Sequence, residues 1–302
     1  MFKTSPVSES SRLFLFFIVF AYSCTGPKAA FTFEKKSDLA PSQIKFVNQS
    51  KDAEEYLWHF GDGTTSALAN PVNRYIHSGR YEVILEAKRK KKISKKKTVL
   101  HVFPPLECLA EIQTTSGNMV IKLYNSTHDH RDNFIKLAES GYYDGTLFHR
   151  VIKGFMIQAG DPDSKNAEVG QRLGGGGPGY TVKAEISDTI FHIKGALAAA
   201  RIGDEMNPSK SSSGSQFYIV QGRTVPEQVL DGYAAQKKIK YTSSARDLMM
   251  QKGGTPQLDQ EYTVFGQVID GFEIIDSIAD VKTDQNDRPV SDVKILKINI
   301  IK

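Results

Sequence analysis

Two cysteines, Cys24 and Cys108, are all that the 302 residues contain. The chain can therefore form at most one disulfide, and none if Cys24 is otherwise used, which excludes a disulfide-stapled scaffold. No apolar run approaches the roughly 18 residues a membrane-spanning helix needs. The strongest, residues 13–22, is too short to cross a bilayer. No internal repeat is visible. No nucleophile stands with a base, and no phosphate loop or metal-ligand cluster is legible. His128-Asp129-His130 offers two histidines in a polar turn without further ligands, which predicts exposed side chains and no metal. Gly174-Gly175-Gly176-Gly177-Pro178-Gly179 satisfies a bare GxGxxG, yet Pro178 and the strand-like Tyr180-Thr181-Val182 follow where a helix would have to open. It reads as a flexible loop, and no cofactor is expected. The basic run at residues 88–97 has no aromatic residues interleaved, so nothing supports stacking on single-stranded nucleic acid, and no nucleic-acid partner is expected.

What is present is unevenly distributed. The net charge is +5, but residues 29–105 hold 14 basic against 8 acidic side chains, and residues 106–302 hold 22 against 25. A length of 302 residues suits two domains. At the amino terminus Lys3 and Arg12 precede the apolar run, as in a signal peptide. Ala21-Tyr22-Ser23-Cys24 resembles a bacterial lipobox, in which residues 1–23 are removed and Cys24 carries lipid. An ordinary secretory signal with an incidental Cys24 is the alternative. Lipidation makes this a protein of the cell envelope, held on a bacterial membrane by its anchor, with residues 24–30 as a tether.

Strand-like segments follow at residues 31–33, 44–47, 56–60 and 81–87, the last alternating apolar and polar as a half-buried strand does. Gly61-Asp62-Gly63 is turn chemistry. The lysines of residues 88–97 fit a solvated hairpin whose charge blunts a sheet edge, or a patch for anionic lipid or polysaccharide. Pro104-Pro105 reads as a short, stiff linker. Beyond it come a hairpin about Ser116-Gly117-Asn118, helical spacing at residues 132–140 and 271–280, and strands at 147–152, 155–160, 196–200, 217–221, 263–268 and 295–301. Cys108 lies in an alternating segment and is expected as a buried, inert thiol. Residues 224–253 carry apolar spacing consistent with one or two short helices between two of those strands.

Chemistry concentrates in two stretches, Phe148-His149-Arg150-Val151-Ile152-Lys153-Gly154-Phe155-Met156-Ile157-Gln158 and Gly214-Ser215-Gln216-Phe217-Tyr218-Ile219. Each sets one or two polar groups among bulky apolar ones, suiting a greasy pocket with one fixed cation and a few amides. These stretches resemble the signature of cyclophilin-type peptidyl-prolyl isomerases, over about residues 106–302. The resemblance implies a closed antiparallel β-barrel capped by helices, with 224–253 as an insertion. It implies isomerisation of X-Pro bonds without a covalent step, during the folding of exported proteins. Arg150 becomes the catalytic arginine, and Phe155, Met156, Tyr218 and Leu258 line a proline pocket. Gln158 and Gln216 orient Arg150 and the peptide. Ala199, Ala200 and Arg201 flank the groove, and Phe217 and Tyr262 are counted with the binding residues. His149 and His192 are read as structural. Departures from the family pattern are Tyr218, which adds a hydroxyl needing a partner, Arg201 for the usual asparagine, Gln257 at the position of a tryptophan and Tyr262 at that of a histidine. The last two imply weak cyclosporin binding.

Trp58-His59-Phe60-Gly61-Asp62-Gly63-Thr64-Thr65, followed by Tyr75 and Gly79-Arg80-Tyr81-Glu82-Val83, resembles a PKD domain. That implies an immunoglobulin-like β-sandwich over residues 31–103, used as a spacer or adhesive unit, with Asp62 a turn residue. The chain thus reads as mainly β, and the expected partners are proline-containing peptides and unfolded exported proteins, bound by a monomer. Two alternatives stand beside catalysis: a non-catalytic scaffold for proline segments, and adhesion through the PKD unit.

Overall fold

The computed structural model describes residues 26–75, 78–103, 106–168 and 170–301. The signal segment, Cys24 and the 104–105 linker lie outside the described residues. Contacts divide the chain into two compact units. One comprises the chain up to Glu34 with Lys45–Val72 and Glu82–Val99; the other comprises Lys35–Ile44, Asn73–Tyr81 and the chain from Leu100.

Seven strands come first: β1 Phe31–Lys35, β2 Ser42–Asn48, β3 Glu55–His59, β4 Thr65–Ser66, β5 Val72–Tyr75, β6 Gly79–Arg89 and β7 Lys92–Val102. They form one sheet ordered β1-β2-β5 and another ordered β4-β3-β6-β7. Alternation in β2 buries Ile44 and Phe46, and alternation in β6 buries Val83, Leu85 and Ala87. Phe31 and Phe46 from the first sheet meet Trp58 from the second, with ring centroids 5.0 and 5.3 Å apart. Trp58 is fully buried and donates its indole N–H to Leu68 O at 2.9 Å, satisfying its one polar atom. Gly61 and Gly63 take φ of 82° and 91°, and Asp62 Oδ1 accepts from the Thr64 N–H and hydroxyl, so Asp62 works inside the turn. Residues 28–30 pair with this unit: Lys28 exchanges backbone bonds with Lys51, and Ala29 N–H donates to Ser94 Oγ.

The remaining strands are β8 Leu109–Thr114, β9 Gly117–Leu123, β10 Arg150–Ile152, β11 Met156–Ala159, β12 Thr181–Val182, β13 Ala196–Ala199, β14 Ser212–Ser213, β15 Phe217–Val220, β16 Val264–Asp270 and β17 Ile295–Ile301. Among them run α1 His128–Glu139, α2 Glu227–Lys237, α3 Ser243–Gln251 and α4 Phe272–Ala279. Eight strands make one sheet in the order β10-β11-β15-β13-β16-β9-β8-β17. The resemblance implied a closed barrel; the sheet instead is open, since β10 and β17 share no ladder. The segments around those two strands meet through an isolated bridge, Leu147 with Lys294, and through backbone bonds from Gly145 N–H to Ile295 O, Ile295 N–H to Thr146 O and Phe148 N–H to Val293 O, without forming a ladder. Short β10, three residues long, leaves too few backbone groups to complete the seam.

The curled sheet wraps a core of Ile112, Met119, Ile121, Phe134, Phe148, Ile157, Phe217, Phe265 and Ile298 with their neighbours, capped by α1 and α4. Helix α1 begins at His128, four residues ahead of its apolar spacing, because Glu185 accepts the first-turn N–H groups of Asp129 and His130. It stops before Gly141, whose φ is 69°. At the β8–β9 turn Gly117 has φ 127°, and a Cβ there would collide with Ile274. Cys108 is half-buried against the core rather than fully enclosed. The 224–253 segment folds as α2 and α3 around its own small core of Leu230, Ile239, Ala245 and Met249 with Phe191. No helix among the described residues is long and apolar enough to cross a membrane.

Candidate active site

The register of β10, β11, β15 and β13 sets Arg150 opposite Gln158, Gln158 opposite Tyr218 and Tyr218 opposite Ala198. Opposed residues in antiparallel strands share a face, so one row carries a cation, an amide and a phenol. The next row carries Ile152, Met156 and Val220. Both rows point away from the central core. Met156, Ala196, Ala198, Tyr218, Val220 and Val264 form a separate apolar cluster there, and Phe155, Ala200, Leu258 and Tyr262 pack on it.

Above that cluster lies a cleft of about 600 Å³ bordered by Arg150, Phe155, Met156, Gln158, Tyr218 and Leu258. Ala200, Arg201 and Tyr262 complete the same wall. An adjoining cleft of about 690 Å³ shares Gln158, Ala200 and Arg201 and adds Gln216. Ten of the sequence-selected residues thus gather in one place. Two do not. Ala199 and Phe217 stand on the opposite face, within the central core, where Phe217 packs edge-on against Phe134 and Tyr143 at 5.6 and 5.5 Å. The reason is the period of two: each neighbours a groove residue in sequence and so points the other way.

Arg150 is about half exposed, and its Nε lies 3.5 Å from Asp287 Oδ2. Its terminal nitrogens have no acceptor among the described residues. The expectation that glutamines orient this arginine is not met by direct contact. Gln158 Nε2 donates to Gln216 Oε1 at 3.0 Å, and Gln216 Nε2 donates to the carbonyls of Gly174 and Gly176 at 2.9 and 2.8 Å. The glutamine pair fastens the glycine loop to the sheet, while Asp287 holds the arginine. Asp287 itself sits in a tight turn with φ 63°, and its carbonyl accepts from Val151 N–H at 2.8 Å, next to Arg150. Sequence reasoning missed Asp287 because it lies 137 positions beyond Arg150 in a polar turn with no motif around it.

Arg201 is not a free cation. Its guanidinium lies over the Tyr262 ring at 4.6 Å, and its N–H groups donate to Glu261 O, Ile202 O and Asp204. Tyr218 and Tyr262 meet edge-to-face at 5.8 Å, giving the cleft two perpendicular aromatic walls. Burial drives the Tyr218 hydroxyl well above the ordinary tyrosine range, so it stays protonated. His149 is buried in the wall beside Arg150; burial first, then Arg150 and Arg288, lowers its pKa against the pull of Asp161. Of the two histidines expected to be exposed, His128 is, but His130 is buried, because Glu185 and Ser212 take both its ring nitrogens. His128, Asp129 and Glu185 bring ligand atoms within 4.8 Å of one another, with His128 and Asp129 exposed. An apolar slot beside one anchored, outward-reaching guanidinium can bind an apolar ring and donate to an amide next to it.

Comparison with known proteins agrees with that chemistry. The family model described as cyclophilin type peptidyl-prolyl cis-trans isomerase/CLD matches residues 109–300, and a PKD domain model matches residues 26–102. A Staphylococcus aureus (strain USA300) protein, provisionally named as a peptidyl-prolyl cis-trans isomerase, is 40% identical over 190 residues, covering 63% of this chain and 89% of the relative. One from Staphylococcus epidermidis with the same provisional name is 38% identical over 193 residues, with coverage of 63% and 89%. The crystal structure of a Cryptosporidium parvum cyclophilin-type isomerase aligns with 65% of this chain and 98% of its own, at 28% identity and a TM-score of 0.49. Two thirds of the chain, including every residue of the cleft, therefore make this protein a member of the cyclophilin-type peptidyl-prolyl cis-trans isomerases, with a PKD domain ahead of the catalytic one.

Proposed function

We propose that Arg150 is the catalytic group and that Phe155, Met156, Tyr218, Leu258 and Tyr262 receive the proline ring of an extended peptide. The observation that carries this is the juxtaposition of a half-exposed guanidinium and an apolar slot on adjoining rows of one sheet face. Rotation about an X-Pro bond breaks amide resonance, with a barrier near 20 kcal/mol. As the amide twists, its nitrogen becomes pyramidal and regains a lone pair. A donor aimed at that nitrogen, or at the displaced carbonyl oxygen, is better satisfied in the twisted form than in either planar one. Arginine suits the task because it stays charged and its donors are rigid. The Asp287 contact at Nε restrains the side chain while leaving the terminal nitrogens available to substrate. Gln158 and Gln216, with Ala200 and Arg201, then hold the peptide along the second cleft.

In a proline-limited refolding assay run without protease, Arg150→Ala should lose most of its kcat/KM while the protein stays folded. Full activity in that variant would sink the assignment.

We further propose that Cys24 carries lipid, that the enzyme works at a bacterial cell envelope on exported proteins, and that the PKD module is an immunoglobulin-like spacer. Gly26, two residues past Cys24, packs near Lys92, and the hairpin tip beside it presents Lys90, Lys91, Lys92 and the half-exposed Ile93. Lys90 holds φ 52° where glycine or asparagine is favoured. A cationic tip with an apolar residue beside an acylated terminus suits an anionic bilayer surface. Mass measurement of the mature amino terminus tests the anchor: a cleaved, unacylated Cys24 would remove it.

A further inference from the structure

Tyr218 brings a hydroxyl to a slot that needs only a ring, and that hydroxyl is occupied from behind. His192 Nε2 lies 3.0 Å from Tyr218 OH, and His192 Nδ1 lies 2.8 Å from Asp259 Oδ1. Asp259 Oδ1 also accepts from His192 backbone N–H, and its Oδ2 accepts from Tyr241 OH at 2.8 Å. His192 and Asp259 are each 1% exposed. With the carboxylate accepting at Nδ1, the imidazole carries its proton there, and Nε2 accepts from the Tyr218 hydroxyl. The line of bonds runs from the floor of the slot to Tyr241, which belongs to the 224–253 insertion between α2 and α3.

The insertion also grips the wall. From the end of α2, Lys237 Nζ donates to Gln257 O at 2.8 Å and Asp259 O at 2.7 Å. Leu258 lies between those two carbonyls, and Tyr262 lies three residues beyond. The rings of Phe191 and Tyr241 meet at 4.9 Å, so the residue before His192 is packed into the same small core. Tyr218, His192 and Asp259 are buried, and their polar atoms are matched along this line, with Tyr241 and Lys237 partly buried at its outer end. Removing a partner of the buried groups leaves a polar atom unsatisfied rather than merely weakening a contact.

We infer that the insertion is the positioning element of the proline slot: Tyr241 and Lys237, acting through Asp259 and His192, fix the Tyr218 ring and the Leu258–Tyr262 wall, and so set how tightly a prolyl segment is held. The inference rests on the reading that this slot receives the proline ring. The slot is formed before substrate arrives and stays formed in the transition state. Loosening it therefore weakens ground and transition states alike, which raises KM and spares kcat.

The test uses the full chain with a prolyl peptide substrate, at a temperature where each variant is shown to be folded. Tyr241→Phe should raise KM at least threefold with kcat within twofold of the parent. Lys237→Met should do the same, and Lys237→Arg, which keeps donors and charge, should restore the parent KM. Tyr218→Phe cuts the line at its front end. In that background Tyr241→Phe should add little further to KM, whereas a merely structural role for Tyr241 would give the full product of the two single effects. Unchanged KM in Tyr241→Phe and Lys237→Met, or additive effects in the double variant, overturns the inference. Phe155→Ala separates the two readings: if it too leaves KM unchanged, the slot itself is misassigned, and if it alone raises KM, only the role of the insertion falls.

Discussion

The two faces of one sheet, a single residue apart in sequence, divide the labour of this protein. Val151, Ile157, Phe217 and Ala199 face the central core, and Arg150, Gln158, Tyr218 and Ala198 face the cleft. On the inner face side chains are large and interlocked, with Phe134, Tyr143, Phe217 and Phe265 in edge-on or tilted contact. On the outer face the apolar floor is thin and polar groups stand along it. Stability comes chiefly from burial, which is roughly proportional to area, so the inner face should govern folding. A site must keep donors unsatisfied until substrate arrives, and on the outer face the terminal nitrogens of Arg150 have no acceptor among the described residues. The alternation lets both demands be met by strands of three and four residues.

The sharpest way to break this division is on the inner face. Phe217→Ala removes a ring that is 1% exposed, and should cost about 3–5 kcal/mol of unfolding free energy, read from the denaturant midpoint. A variant that kept its midpoint and merely bound peptide less well would return Phe217 to the groove. Next is Arg150→Ala on the outer face. Loss of one preorganised donor typically costs about 10²–10³ in kcat, whereas an exposed arginine held by one 3.5 Å contact should change stability by only about 0.5 kcal/mol. Equal loss of both properties would show that the faces are not separable. Smaller again is Gln216→Ala, which removes one bond to Gln158 and two to the glycine loop. These bonds are partly exposed, so at about 0.5–1 kcal/mol each, the lower part of the usual net range, losing the three together should lower stability by about 1.5–3 kcal/mol. Protease should then cut the loop at residues 174–179 faster.

Much of this was legible in the chain itself. Alternation located the strands that carry Arg150 and Tyr218, and glycine marked the end of α1. The two motifs held six of the cleft residues, and the family resemblance added Ala200, Arg201, Leu258 and Tyr262, ten in all spread over 113 positions. Phe217 and Ala199 were misplaced because a motif read as a block ignores which face each member takes. The open seam was not legible, since it depends on how few residues β10 commits to the ladder. Asp287 and the His192–Asp259–Tyr241 line escaped because their partners are distant in sequence and none belongs to a motif. One signal was available: a tyrosine at the foot of an apolar slot must find a hydrogen-bond partner. His192 and Asp259 supply it.

The smallest expected effect sets two buried histidines against each other. His130 anchors α1, its Nδ1 2.6 Å from Glu185 Oε2 and its Nε2 2.9 Å from Ser212 Oγ. His149 stands in the cleft wall. Burial lowers the pKa of each, in His130 against the opposing pull of Glu185 and Asp129, and in His149 against that of Asp161. Above the ordinary histidine value of about 6.5 neither state binds the proton, so folding stability does not change with pH on their account. Below it the unfolded chain takes up protons before the folded one does. More protons bound in the unfolded state means stability falls as pH falls, from about 6.5 down through the lowered folded values. Thermal midpoints should therefore decline between about pH 7 and 5, while Glu185, itself held below the ordinary carboxylate value despite its burial, remains charged through that window. Replacing His130 by Gln should flatten the decline in the midpoint and leave the acid dependence of kcat/KM in place. Replacing His149 by Gln should flatten both, because only His149 would place a second positive charge beside Arg150 on protonation. A decline of unaltered slope in both variants would move the pH response to other groups.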